Sequence, residues 1–128
     1  MASAWRVIYY QSEKGECELL DFLESRKDQE QQKIRAWIAL LEEKGPQVPR
    51  PYADLLRDGI HELRIKLTGN QVRVLYFFCF RDYVVLTHAF TKTTSKVPED
   101  QIRKALKCRD DVLSRFKKGE ALNDSFPR

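Results

Sequence analysis

Apolar residues recur with two different periods along this chain, and the changes of period predict its elements. Residues 5–10 form a short aromatic and β-branched run, which is typical of a β-strand. Between residues 16 and 44 the apolar positions return every three or four residues, the period of an α-helix. The charged stretch 25–33 divides this segment into a helical hairpin, with Asp28 as the cap of the second helix and Gly45 as its end.

The second half of the chain alternates like a sheet before it returns to a helical period. After a predicted loop at residues 46–59, three apolar runs follow, and they are separated by Gly69-Asn70 and Arg81-Asp82. Such short connections predict an antiparallel meander. Beyond Pro98 the period is again helical, and acidic residues open the segment. The strand runs are 60–67, 72–80 and 83–90.

The predicted fold class is therefore α+β. An N-terminal strand and the meander form one sheet, and a helical hairpin and a C-terminal helix pack on it. We expect a single domain over residues 1–120 and a frayed tail over residues 121–128, because the tail has few residues to pack.

The two predicted turns fix which side chains share a face of the sheet. A turn at Gly69-Asn70 sets Lys66 opposite Arg73, and a turn at Arg81-Asp82 sets Leu75 opposite His88. One face then holds apolar side chains that we expect the helices to cover: Leu63, Ile65, Leu67, Val72, Val74 and Tyr76. The other face holds a basic cluster at one end: Arg64, Lys66, Arg73, His88 and Lys92. Its other end holds Phe77, Val84 and Leu86, for which the C-terminal helix or a partner would be the cover.

This basic cluster predicts an anionic partner. Like charges opposed across strands repel each other, and only Glu62, at the far edge, offers a counter-charge on these strands. A phosphodiester fits, because cations hold its oxygens and stabilise the charge that develops on attack. A solvated basic face without chemistry is the alternative reading. Two further alternatives stay open: His88 transfers protons or is structural, and the basic C-terminal helix is solvated or docks nucleic acid.

Composition and charge narrow the class of protein. Hydrophobic residues are 42% and charged residues 33% of 128 positions, which is typical of a globular domain. Residues 1–50 carry 8 basic against 9 acidic side chains, whereas residues 51–128 carry 15 against 10. The longest apolar run falls far short of the ~18 residues of a membrane span, and no secretory signal is evident, so we expect a cytoplasmic protein. Three cysteines without a CxxC pair and no nucleotide motif predict no disulfide, metal or cofactor.

Three short motifs in the second half, in this order, resemble the RelE/ParE toxin superfamily, and within it the phage-derived HigB-like branch. They are Glu62-Leu63-Arg64, then Arg73-Val74-Leu75-Tyr76-Phe77, then His88-Ala89-Phe90-Thr91-Lys92 continuing to Lys96-Val97-Pro98. The layout is similar over residues 5–113, and the motifs are densest over residues 60–105. Thr93 stands where the branch usually has a second lysine, and His61 stands where a bulky aromatic residue is common.

The resemblance implies a toxin of a type II toxin–antitoxin system that cuts messenger RNA on the ribosome. Cleavage in this family needs no metal or cofactor, and the implied partners are the mRNA and a helix-turn-helix antitoxin. By resemblance, Arg73 and Lys92 hold the phosphate, Lys66 accepts a proton or activates electrostatically, Arg64 clamps the substrate, and His88 is a further proton-transfer candidate. Lys96, Arg103 and Lys104 are expected to make additional RNA contacts.

Two other functions remain open at this point. ParE-type relatives share the fold but inhibit DNA gyrase by protein contact, and a decayed, non-catalytic member would keep the fold without activity. Replacement of Arg73 or Lys92 by alanine should abolish the toxicity of a ribonuclease but not that of a gyrase-type toxin, which would depend on the C-terminal helix instead. A decayed member would not affect growth when it is expressed without an antitoxin.

Overall fold

The computed structural model describes residues 5–116 together with Phe126 and Pro127. One sheet lies between two layers of helices, one on each of its faces. In chain order the elements are β1 Arg6–Tyr9, α1 Glu18–Glu24, α2 Asp28–Lys44, a short 3-10 helix Gly45–Gln47, β2 Ala53–Arg57, β3 Ile60–Leu67, β4 Asn70–Cys79, β5 Tyr83–Thr91 and α3 Glu99–Arg115. None of the helices among these residues is long and apolar enough to cross a membrane.

The sheet has five strands in the order β1-β5-β4-β3-β2. β1 runs parallel to β5, and the other neighbouring pairs are antiparallel. The α+β class, the N-terminal strand, the helical hairpin and the C-terminal helix are confirmed. The prediction of a loop over residues 46–59 is wrong in part, because β2 adds an edge strand there. Its five residues follow three prolines and contain two charges, a pattern that does not show strand alternation.

The first hairpin turns one residue earlier than predicted. Leu67 pairs with Asn70, so Thr68 and Gly69 form the turn, and Gly69 has a φ of 77°. Arg73 consequently lies opposite Arg64, and Lys66 lies opposite Gln71. The predicted pairing of Lys66 with Arg73 is wrong by two residues, a shift that leaves every side chain on its predicted face.

The second hairpin confirms the predicted pairing of Leu75 with His88, although by a different route. Cys79 pairs with Tyr83 across a three-residue turn, and a register shift after Leu75 compensates for the extra residue. This bulge reverses the alternation, since Val84 and Leu86 pack on the helical-hairpin side rather than on the predicted outer face. Phe77 is on the outer side as predicted, in the cluster that α3 covers.

The helical hairpin covers one face of the sheet with a continuous apolar core. The predicted core face is confirmed: Leu63, Ile65, Leu67, Val72, Val74 and Tyr76 are all buried in this cluster. α2 contributes Ile34, Ile38 and Leu41 from one side of the helix. Asp28 is its first residue rather than its cap, and Lys27 in the cap position makes no side-chain cap bond. The predicted end at Gly45 is confirmed; it has a φ of 52° and lies against the Trp5 indole.

The opposite face carries α3, which begins directly after Pro98. Its buried residues Ala105 and Val112 pack on Leu75 and Phe77. Phe126 joins this second core at 5% exposure, and the Pro127 carbonyl accepts a 2.7 Å hydrogen bond from the amide of Tyr9. The expectation of a frayed tail over residues 121–128 therefore does not hold at Phe126 and Pro127; residues 121–125 and 128 lie outside the described part.

Candidate phosphate-binding site

A buried ion-pair network lies on the α3-facing side of β3 and β4. Glu62 is 4% exposed, and its Oε1 lies 3.0 Å from Arg73 Nε. Its Oε2 accepts hydrogen bonds from Arg64 Nη2 at 3.0 Å and Arg64 Nε at 3.2 Å. Arg64 and Arg73 are direct cross-strand partners, so one carboxylate serves two opposed cations. The predicted unrelieved repulsion is wrong, because Glu62 lies between the arginines rather than at a distant edge.

Arg64 is tied to the edge strand that the sequence did not indicate. Its Nη2 lies 3.4 Å from Asp54 Oδ2 on β2, and its Nη1 donates to the Pro51 carbonyl at 3.3 Å. About a third of the side chain, 34%, remains exposed. Arg64 thus fastens β2 to the sheet and keeps one flank open to solvent.

Arg73 lies below the surface. Only 7% of its side chain is exposed, Nη1 donates to the Val72 carbonyl at 3.2 Å, and Nη2 donates to Gln71 Oε1 at 3.1 Å. Burial lowers the pKa of Arg73 and the Glu62 carboxylate opposes that shift, but an arginine stays charged at any working pH. Its charge therefore acts from beneath the sheet surface, through the groups it contacts.

His88 is also buried, at 2% exposure, and both of its ring nitrogens have partners. Nδ1 lies 2.9 Å from Thr87 Oγ1, and Nε2 lies 2.7 Å from Gln101 Oε1 on α3. The ring stacks on Phe90. Burial lowers the pKa of His88 below 6.5, which favours the neutral imidazole. This arrangement connects α3 to the sheet and leaves the ring without access to solvent.

Two lysines meet at an open cavity of about 440 Å³ at the end of the sheet. Lys66 comes from the end of β3, and Lys92 follows directly after β5. Polar side chains complete the lining, among them Asn70, Gln71, Thr91, Thr93 and Thr94. Lys66 is exposed and Lys92 is half-buried. A cavity lined by two lysines together with hydroxyl and amide side chains is chemically suited to a phosphate group.

The three predicted RNA contacts beyond this cavity are spread over the surface. Lys96 and Arg103 are exposed. Lys104 forms an ion pair with Glu18 of α1 at 2.7 Å, with both side chains about half exposed. Of the eight predicted site residues, the structure brings Lys66 and Lys92 together at the cavity, gathers Arg64 and Arg73 around Glu62, and places His88 under α3.

Sequence reasoning missed three polar partners. Asp54 was missed because β2 was not recognised, and Gln101 because no pattern indicates which α3 residue meets His88. Gln71 could have been found, since it is adjacent to the predicted turn and shares the face of Arg73. His61 stacks on Tyr76 with ring centroids 5.2 Å apart.

Within residues 5–116, 126 and 127, no group of three or more His, Cys, Asp or Glu side chains is arranged to hold a metal ion.

The profile of one protein family, described as phage derived protein Gp49-like, matches residues 21–110, which is well over half of the chain. The matched region includes α2, β2–β5, Lys66, Lys92 and the Glu62 network. No curated protein sequence matches the chain.

Proposed function

Because the chain belongs to the phage derived protein Gp49-like family, which is part of the RelE/HigB-like toxin superfamily, we propose that it is a ribosome-dependent endoribonuclease. It would be the toxin of a type II toxin–antitoxin pair. Its substrate is messenger RNA on the ribosome, and its activity is cytoplasmic. A helix-turn-helix antitoxin is its neutralising partner.

The observation that carries this proposal is the convergence of Lys66 and Lys92 on one open cavity. A cavity of about 440 Å³ is large enough for a phosphate and its adjoining ribose. Lys66 lies in the β3–β4 ladder, and the amide of Lys92, directly after β5, donates a 2.7 Å hydrogen bond to the Gln71 carbonyl of β4, so the backbone at both positions is held by the sheet. Preorganised cations are the groups that stabilise a phosphodiester under attack.

In the proposed reaction the ribose 2′-hydroxyl attacks the adjacent phosphorus and the bond from phosphorus to the 5′ oxygen breaks. The products are a 2′,3′-cyclic phosphate and a 5′-hydroxyl. Lys92 holds the phosphate and offsets the charge that develops on its oxygens. Lys66 takes the 2′-hydroxyl proton when it is the neutral amine, whereas as an ammonium ion it stabilises the 2′ oxyanion and water takes the proton. The 5′ oxygen gains a proton from water or a neighbouring donor, so atoms and charge balance.

The other predicted site residues have supporting roles in this proposal. Arg73 is held below the surface by Glu62, and we assign it to positioning rather than to holding the phosphate itself. Arg64 keeps a partly exposed flank from which it can clamp the RNA backbone. His88, enclosed under α3, positions that helix. The exposed Lys96 and Arg103 are available for ribosomal RNA, and Lys104 becomes available if it leaves Glu18.

An experiment in living cells tests whether the target is translation or DNA gyrase. The chain is induced without its antitoxin, and incorporation of labelled amino acid and labelled thymidine is followed alongside growth. Early loss of amino acid incorporation with continued DNA synthesis supports the proposal. Early loss of DNA synthesis instead would indicate a gyrase-directed toxin, and normal growth with soluble, folded protein would indicate a member without activity.

A further inference from the structure

We propose that Gln71 is a substrate-contacting residue of this site, whose side-chain amide donates to an oxygen of the RNA phosphate between Lys66 and Lys92. The assignment rests on the proposed function and adds a neutral donor to its two cations. It also explains how Arg73 contributes to the site, because Arg73 would orient the side-chain amide of Gln71.

Gln71 lies between the two lysines in the sheet. It is the register partner of Lys66 across the β3–β4 ladder. On its other side, its carbonyl accepts a 2.7 Å hydrogen bond from the amide of Lys92. All three residues line the same cavity, and the Gln71 side chain is exposed to it. A phosphate that bridges the two lysines would therefore lie over Gln71.

Arg73 fixes which end of the Gln71 amide is free. The guanidinium donates from Nη2 to Gln71 Oε1 at 3.1 Å, so the carbonyl end of the amide faces Arg73. An amide has one carbonyl oxygen and one NH₂ group, so the remaining end carries two N–H donors. Arg73 is in turn held by Glu62 at 3.0 Å. The contacts from Glu62 to Arg73 and from Arg73 to Gln71 thus leave the amide N–H donors of Gln71, and not its acceptor, for the cavity.

The decisive variant is Gln71→Glu. A carboxylate keeps the acceptor that Arg73 needs, so the buried network and the fold are retained, but it removes the NH₂ donors and adds a negative charge beside the phosphate. Gln32→Glu is the matched control, since it makes the same change at an exposed position of α2. Gln71→Met removes the donors without adding charge. Thermal unfolding of each variant checks that the fold is intact.

Binding is measured on ribosomes whose A-site codon carries 2′-O-methyl riboses, which cannot be cut. We expect Gln71→Met to raise the dissociation constant about tenfold, the usual effect of losing a hydrogen bond to a charged group, and Gln71→Glu to raise it further. Gln32→Glu should bind like the wild type. Equal binding by wild type and Gln71→Glu would overturn this assignment alone. A wild-type protein that neither binds nor cleaves would overturn the proposed function and this assignment with it.

A double-variant cycle tests the positioning role of Arg73. Arg73→Lys keeps the charge but not the guanidinium geometry, and we expect it to weaken binding several-fold in the wild-type background. In the Gln71→Met background it should have no further effect on the dissociation constant, because its target is gone. Independent, multiplicative effects of the two changes would show that Arg73 does not act through Gln71.

Discussion

Glu62 and Arg73 form a buried ion pair inside the sheet, with Glu62 Oε1 3.0 Å from Arg73 Nε and both side chains at most 7% exposed. They are diagonal neighbours on β3 and β4, because Glu62 pairs with Leu75 and Arg73 pairs with Arg64. Replacement of either residue can therefore change two properties. One is the stability of the fold, and the other is the orientation of the groups at the cavity.

Glu62→Gln is expected to lower the free energy of unfolding by about 3 kcal/mol, because it leaves the Arg73 charge buried without its counter-charge. Urea denaturation measures the loss. The double replacement Glu62→Leu with Arg73→Met removes both charges and should recover most of that stability while RNA cleavage stays low. A double variant as unstable as Glu62→Gln would contradict this account of the pair.

The buried His88 predicts a fall in stability in mildly acidic solution. Its pKa in the folded protein lies below 6.5, so the unfolded chain binds a proton at a higher pH than the folded one. The free energy of unfolding should therefore be highest above about pH 6.5 and decrease as the pH falls below it, by at most about 1.4 kcal/mol per pH unit for one histidine. His61, whose pKa burial also lowers, adds to the slope.

Urea denaturation between pH 7 and pH 5 measures this slope. His88→Gln, which keeps a hydrogen-bonding side chain but does not titrate, should show a shallower decrease than the wild type. His61→Gln should remove the remaining histidine contribution. Identical slopes for His88→Gln and wild type would mean that His88 is not held neutral by its burial.

Gly45 is expected to be intolerant of a side chain for a reason that goes beyond its backbone angle. Gly45 and Gly69 both have positive φ, but a Cβ at Gly45 would overlap the Trp5 indole, whereas a Cβ at Gly69 would meet no atom within 4 Å. Gly69→Ala should cost about 1–2 kcal/mol from backbone strain alone. Gly45→Ala should cost at least about 1 kcal/mol more because Trp5 must move. Equal losses in thermal unfolding would contradict the close contact.

The core face and the order of the elements other than β2 could be predicted because they follow from hydrophobic period and chain order. The strand-to-helix period changes located α2, β3, β4 and α3 to within a few residues, and the apolar alternation from Leu63 to Tyr76 selected the buried face. The bulge after Leu75 could not be predicted, since its extra residue leaves no mark in the pattern. For the same reason Val84 and Leu86 were assigned to the wrong side.

The sheet face on which Arg73 and His88 lie could be predicted, but their depth below the surface could not. Alternation places Arg73 and His88 on the correct face, yet whether a side chain on that face is open or buried depends on where α3 lies. A one-residue error in the position of the first turn shifted the register by two residues and set Lys66, rather than Arg64, opposite Arg73. Tertiary packing decided both outcomes, and local sequence carries little information about it.

Lys66 and Lys92 should be required for activity but not for stability. Lys66→Ala or Lys92→Ala is expected to reduce cleavage about 100-fold or more, the effect of losing one donor to a developing charge, and to leave thermal unfolding nearly unchanged. Lys14→Ala, at an exposed position in the loop before α1, is the matched control. Full cleavage by either cavity variant would remove that lysine from the site.

We propose that the cavity between Lys66 and Lys92 cuts mRNA on the ribosome. The most direct measurement maps new 5′ ends on a reporter mRNA in a reconstituted translation reaction, with and without ribosomes, for the wild type and Lys92→Ala. We expect cuts within codons, 5′-hydroxyl ends, a requirement for ribosomes, and loss of the cuts in Lys92→Ala. Folded wild-type protein that makes no cuts, or a Lys92→Ala variant that makes the same cuts, would contradict this proposal.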